Sequence, residues 1–325
     1  MNISQHEDLV LHDHEPITHS FKSDILDALT QTPKHIPSKF FYDESGSAHF
    51  EEITKLDEYY LTRTEISILR NHLPEIATLI EPRALIIEFG TGAGIKTNLL
   101  LAALDTPAAY VPIDIAREQL IDASLELLES FPDLEVWPVC ADYTEEIALP
   151  LPKTKTEQTV VFFPGSTIGN FTPDDAIHFL KSVAKVAGKD SSLLIGFDRK
   201  KDSNVLEAAY NDSFGVTAAF NLNLIERINR EFESDIDVNY FRHLAFFNEA
   251  ESRIEMHLVS NVEQEIELDN VMIKLVEEEH IVTEYSYKYS REAFTEIIEA
   301  AGFELVQSWS DPREYFDVWY CKTKS

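Results

Sequence analysis

From about residue 84 the chain alternates short, continuously apolar runs with amphipathic stretches, a pattern that few folds accept. The runs are Ala84 to Phe89, Ala109 to Ile115, Leu134 to Cys140, Thr159 to Phe163 and Ser191 to Phe197. Helical patterns lie between them, at Lys96 to Leu104, Arg117 to Ser130 and Pro173 to Ala187. A strand that is apolar at every position is covered on both faces, and strands separated by helices run parallel. The expected core is a doubly wound, Rossmann-like α/β sheet. Near the end, Ser290 starts a further helix and Gly302 stops it, after which Phe303 to Trp309 and Tyr315 to Lys322 supply two strands that complete the sheet.

Between these parts the alternation breaks. Asn204 to Asp212 and Val216 to Glu231 read as helices, and Val238 to Phe247 and Arg253 to Ser260 as period-two strands. The polar Glu249-Ala250-Glu251-Ser252 between the two strands suits a hairpin. The expected organisation is a smaller α+β substrate domain built from residues 1–63 and an insertion at 201–286, with the large domain formed by 64–200 and completed by 287–325.

Charge narrows the choice of partner. Lys and Arg number 27 against 58 Asp and Glu, and the net charge of -31 repels phosphate backbones and anionic lipid, so neither nucleic acid nor membrane is expected. Cys140 and Cys321 each sit in an apolar run, as reduced thiols of cytoplasmic proteins do, and the first 20 residues lack the basic and apolar regions of a secretion signal. A cytoplasmic monomer is the expectation. His6, His12, His14 and His19 crowd a polar stretch without metal-ligand spacing, so they are read as solvent-facing and no metal is expected.

The segment Ile86-Ile87-Glu88-Phe89-Gly90-Thr91-Gly92-Ala93-Gly94 runs from a strand through a glycine-rich turn into a helix. Glycines let backbone approach a ligand, and a helix N-terminus at a switch point makes a polar cradle. The spacing is GxGxG after an acid, unlike the GxGxxG of dinucleotide folds, which weakens a nicotinamide dehydrogenase reading. Asp114 ends the next run, where a carboxylate can take both hydroxyls of a ribose. Asp142 and Tyr143 end the third, where an acid can accept from an adenine amine while an aromatic packs on the ring. Either acid alone is more often a helix cap; their placement on successive strand ends makes the case. Lys96 stands in the first turn of a helix, where a positive charge is disfavoured unless it meets a carboxylate, such as that of a methionine moiety. Over 84–200 and 287–325 these features resemble class I S-adenosylmethionine methyltransferases.

Four further stretches are specific: Lys39-Phe40-Phe41-Tyr42-Asp43-Glu44-Ser45-Gly46-Ser47, Glu58-Tyr59-Tyr60-Leu61-Thr62-Arg63-Thr64-Glu65, Phe163-Pro164-Gly165-Ser166-Thr167-Ile168-Gly169-Asn170-Phe171 and Gly215-Val216-Thr217-Ala218-Ala219-Phe220-Asn221. This set resembles the histidine-specific methyltransferases of ergothioneine biosynthesis. The resemblance implies trimethylation of the histidine α-amine to hercynine, with S-adenosylmethionine as donor. It further implies that Gly90, Lys96, Asp114, Asp142, Tyr143 and Gly165 hold the cofactor, Asn170 and Tyr210 the amino acid's carboxylate and amine, and Glu284 and Ser286 the imidazole beside Met256. Tyr42 and Tyr59 then line the reacting amine. Strand alternation independently puts Glu284 and Ser286 on one face, as a grip on two ring nitrogens requires. No catalytic base is identifiable. The alternatives are an α-amine methyltransferase of another amino acid, such as a tryptophan derivative, and a catalytically silent cofactor-binding module. Glu284 argues against the former, because a buried carboxylate facing an indole loses a charged partner.

Overall fold

The computed structural model describes residues 5–6, 9–14, 21–92, 94–144, 147–150 and 152–324. The chain divides into two units, one of Met1–Pro16, Leu61–Lys200 and Lys288–Ser325, the other of Ile17–Tyr60 and Lys201–Tyr287.

The first unit is built on a nine-stranded sheet. Across it run Phe303–Ser310, Phe316–Thr323, Ser192–Asp198, Thr159–Phe163, Leu85–Phe89, Ala109–Asp114, Val139–Cys140 and His12–Asp13, with Glu135–Val136 also paired to Ala109–Asp114. All pairings are parallel except those of Phe316–Thr323, which is antiparallel to both neighbours. This is the doubly wound arrangement of class I methyltransferases. Ser192–Asp198 is buried along its whole length, as a strand covered on both faces must be. Over it Phe197 stacks on Phe294 at 3.8 Å between ring centroids and meets Trp319 edge-on at 5.1 Å. The helix carrying Phe294, Arg291–Ala300, is capped by Ser290, whose hydroxyl accepts from the Ala293 amide.

Two expectations are corrected here. The apolar run Leu134 to Cys140 is not one strand but two, Glu135–Val136 and Val139–Cys140, interrupted at Trp137-Pro138 because proline has no amide to give a ladder. Residues 9–14, expected in the substrate domain, belong to the large unit. Leu9 and Leu11 are buried against Leu120, Ile121 and Cys140, and the amides of His12 and His14 bond the carbonyls of Pro138 and Cys140. His12 is accordingly half-buried with its ring 5.7 Å from that of Trp137, and His14 is half-buried too, where solvent exposure was expected. The side chains of His6 and His19 lie outside the described residues. Among the described residues no His, Cys, Asp and Glu gather into a metal site, and no helix is long and apolar enough to cross a membrane. Cys140 and Cys321 are both buried free thiols.

The second unit carries a four-stranded sheet in the order Phe241–Asn248, Arg253–Ser260, His280–Tyr287, Lys34–His35. The hairpin forms as the sequence implied, with Asn248 opposite Arg253. A second hairpin, Gln264–Leu268 with Val271–Leu275, turns at Asp269-Asn270, both with positive φ. The helix Val216–Phe232 packs on the four-stranded sheet, and Asp212 caps it by accepting from the amides of Phe214, Val216 and Thr217.

At the C-terminal end of Ser192–Asp198, Asp198 and Lys288 form a 3.0 Å ion pair with both side chains fully buried. Removing one partner leaves the other's buried charge without this ion pair. Lys288→Met is expected to lower unfolding free energy by about 3–5 kcal/mol in urea titrations, and the double change with Asp198→Leu to recover most of that loss.

Candidate active site

The strand Leu85–Phe89 has Ala109–Asp114 on one side and Thr159–Phe163 on the other, so the chain reverses its direction of winding here. Ligands of such sheets bind beyond the strand ends at this point. Gly90, Gly92 and Gly94 all have positive φ, at 75°, 52° and 69°. A Cβ added at Gly92 would meet nothing within 4 Å, so the glycine serves the backbone turn and an open approach, not a neighbouring side chain. Ala93 lies outside the described residues.

Asp114 accepts from the amides of Gly92 at 3.2 Å and Ala116 at 2.9 Å, fixing the glycine turn to the next loop. Burial pushes its carboxyl above the usual aspartate range, against the pull of these amides. Asp142 is half-buried and one of its oxygens accepts from both the amide and the hydroxyl of Thr144. Tyr143 packs edge-on against Phe89 at 5.8 Å and beside Phe179 at the same distance.

Lys96 meets a carboxylate, but one of the protein's own. Its Nζ lies 2.6 Å from Oε2 of Glu65, and the Gly165 amide donates to both oxygens of the same carboxylate at 3.1 and 2.9 Å. Glu65 is only 1% exposed, on the buried face of the helix Tyr60–Thr78. A Cβ at Gly196 would stand 2.0 Å from Glu65 Oε1, so this strand position has room only for hydrogen. Asn170 ends a one-turn 3₁₀ helix, Thr167–Asn170, on the same loop as Gly165. Glu65 is the residue that sequence reasoning quoted without a role. Its signal was a charge on the apolar stripe Leu61, Ile68 and Leu69, which a solvated glutamate would avoid.

Glu88, the acid before the glycines, is fully enclosed. Its Oε2 accepts from Thr97 Oγ1 at 2.5 Å and from the Tyr110 hydroxyl, which ties strand, helix and neighbouring strand together. Burial pushes its pKa up to about 7, although both hydroxyls hold it down.

In the second unit, rings of Tyr42, Phe50, Tyr59 and Tyr210 follow one another at centroid distances of 5.8, 6.2 and 6.2 Å, and Phe220 joins beside Tyr42 and Phe50. The Tyr210 and Ser286 hydroxyls are 2.8 Å apart. Glu284 stands opposite Met256 in the ladder, and both are buried. Tyr42, Tyr59, Tyr210, Met256, Glu284 and Ser286 therefore all belong to the second unit, whereas Asn170 and every residue expected at the cofactor belong to the first.

Winding, glycine turn and acids on successive strand ends define a class I, S-adenosylmethionine-dependent methyltransferase. A family model described as histidine-specific methyltransferase, SAM-dependent, matches residues 21–323. The chain is 37% identical over 297 residues to the histidine N-alpha-methyltransferase of Mycobacterium tuberculosis (strain CDC 1551 / Oshkosh), covering 90% of this chain and 91% of that one. To the enzyme of the same name from Mycolicibacterium smegmatis it is 36% identical, over 92% of this chain and 94% of that one. It is also 34% identical over 302 residues, 87% of this chain, to the ergothioneine biosynthesis protein 1 of Neurospora crassa, of which it spans 32%. The chain belongs to the family of S-adenosylmethionine-dependent, histidine-specific methyltransferases.

Glu88 gives a stability test. As pH rises past 4.5 the unfolded carboxyl ionises while the folded one keeps its proton to about 7, so stability falls across that window. Relative to Glu88→Gln, the wild-type chain is expected to lose about 3 kcal/mol between pH 4.5 and 8, read from denaturant midpoints at each pH.

Proposed function

We propose that this enzyme transfers methyl groups from S-adenosylmethionine to the α-amine of L-histidine, three times in succession, to give hercynine. The observation that carries the reading is the grouping of Glu284, Ser286, Met256 and Tyr210. A carboxylate and a hydroxyl, both buried, stand two residues apart on one strand and so share one face, beside Met256 and Tyr210. An imidazole has a nitrogen for each. The mycobacterial relatives bear names for the same reaction, which supports the substrate.

On this reading Gly90, Asp114, Asp142, Tyr143 and Gly165 hold the cofactor, with Lys96 kept in place by Glu65. When bound, S-adenosylmethionine supplies a sulfonium-borne methyl group open to in-line displacement by an amine lone pair. The chain's own work is to bind and orient. Asn170 and Tyr210 hold the carboxylate and amine of the amino acid. An α-amine titrates at about 8 in a chain, so the site must favour its free base, and the hydroxyls of Tyr42 and Tyr59 can receive and pass on the proton by way of water. The faces of these aromatic residues attract the ammonium that grows with each methylation. The two buried free thiols suit a reducing compartment such as the cytoplasm.

The test is mass spectrometry of purified protein supplied with S-adenosylmethionine and an equimolar mixture of free amino acids. Gains of one to three methyl groups on histidine alone are expected, and Glu284→Ala should lower kcat/KM for histidine by about 10- to 100-fold. Methylation of a different amino acid would keep the fold and reject the substrate. No transfer to any amino acid would leave a silent cofactor-binding module.

A further inference from the structure

The strand His280–Tyr287 carries Glu284 and Ser286, and its pairing with Arg253–Ser260 is irregular. Val282 stands opposite His257 and Glu284 opposite Met256, leaving Thr283 as an extra residue with no partner in the ladder. Directly opposed residues in an antiparallel pair share a face, and one inserted residue moves everything beyond it to the other face. Without the bulge, Glu284 and Ser286 would continue the face of Val282, with His257 and Glu255. With it, they join Met256 and Ile254. The imidazole contacts proposed above therefore depend on one bulged residue.

The bulge is held from one side chain. Asn221, fully buried on the helix Val216–Phe232, has its Nδ2 3.0 Å from the carbonyl of His257 and its Oδ1 2.9 Å from the hydroxyl of Thr283, which also reaches the Met256 carbonyl at 3.1 Å. The orientation of the amide follows from chemistry: a carbonyl can only accept, so nitrogen must face His257 and oxygen must face Thr283. The second hydrogen on Nδ2 points at Nδ1 of His243, 2.9 Å away. That nitrogen must then accept, which leaves the ring proton on Nε2, 2.9 Å from the carbonyl of Tyr210. The two carbonyls at the ends of the chain of bonds fix every donor and acceptor between them. They also require a neutral His243, and burial lowers its pKa in that sense.

We propose that Asn221 is the positioning residue for the amino-acid substrate, acting through Thr283 on Glu284 and Ser286 and through His243 on Tyr210. The inference rests on the reading that these residues hold histidine. A buried amide with both hydrogens and its oxygen engaged makes a stiff junction, whereas an apolar residue there would take the side-chain donor from the bulge carbonyl. One helix residue thus sets both ends of the proposed substrate contacts in register with each other.

Thr283→Val removes the hydroxyl and keeps the shape and strand preference of the side chain, and Thr283→Ser keeps the hydroxyl. In the full-length enzyme Thr283→Val is expected to raise KM for histidine about tenfold, with the Kd of S-adenosylhomocysteine unchanged, and Thr283→Ser to stay near wild type. Should Thr283→Val fail to fold, His243→Gln tests the other arm of Asn221 with the same expected rise. A change in histidine KM below threefold, or an equal loss of S-adenosylhomocysteine affinity, overturns the role of Asn221. Wild-type enzyme that leaves histidine unmethylated overturns instead the reading on which this role rests, so the two failures are told apart by the first assay of the series.

Discussion

A carboxylate that water scarcely reaches, Glu65, joins three segments that meet nowhere in the sequence. Its helix, the first turn of the helix after the glycine loop and the loop after Thr159–Phe163 are bound to one another through Lys96 and the amide of Gly165. A buried charge is tolerated only when its partners stay put, so the shape of this corner is as fixed as the ion pair itself. The same loop carries Asn170 four residues past Ser166, and the Ser166 hydroxyl accepts from the amide of Asp198, the residue of the second buried ion pair. The loops at the switch point are thereby anchored by buried charges. That is what a site built to accept a charged, flexible cofactor needs, because little remains to be ordered on binding.

In the second unit the junction at the strand bulge is made by neutral groups. There the aromatic side chains line up ring to ring, and the amide of Asn221 takes the part that Glu65 takes in the first unit. A neutral junction suits a site that must receive an amine in its uncharged form, since a fixed cation or anion beside the nitrogen would shift its titration.

Much of the parallel sheet was legible because its strands are apolar at every position, and the glycine turn because only glycines sustain three successive positive-φ turns. Asp114 does end its strand, and Tyr143 does follow the next, as the sequence implied. The failures have physical causes. Trp137-Pro138 looked apolar and so looked like strand, but hydropathy does not see a missing amide. The N-terminal stretch looked polar, and the alternation of Leu9 and Leu11 that buries it is too short to register. Lys96 was read as meeting a ligand's carboxylate, whereas the carboxylate it meets lies 31 residues upstream, in a helix whose facing cannot be known before the sheet is placed. The bulge at Thr283 leaves no mark in sequence at all, because it is a relation between two strands.

The order of strands also bears on how the chain reaches this form. Phe316–Thr323 lies inside the large sheet, between Ser192–Asp198 and Phe303–Ser310, and not at its rim. Synthesis proceeds from the N-terminus, and Phe303–Ser310 pairs only with Phe316–Thr323, so until that last strand is made the sheet stays two strands short, with an open hydrogen-bonding edge along Ser192–Asp198. The second unit, which ends at Tyr287, precedes both of those strands in the chain. The large unit, to which Leu9 and Leu11 belong, is closed by a strand that follows the whole of the other unit.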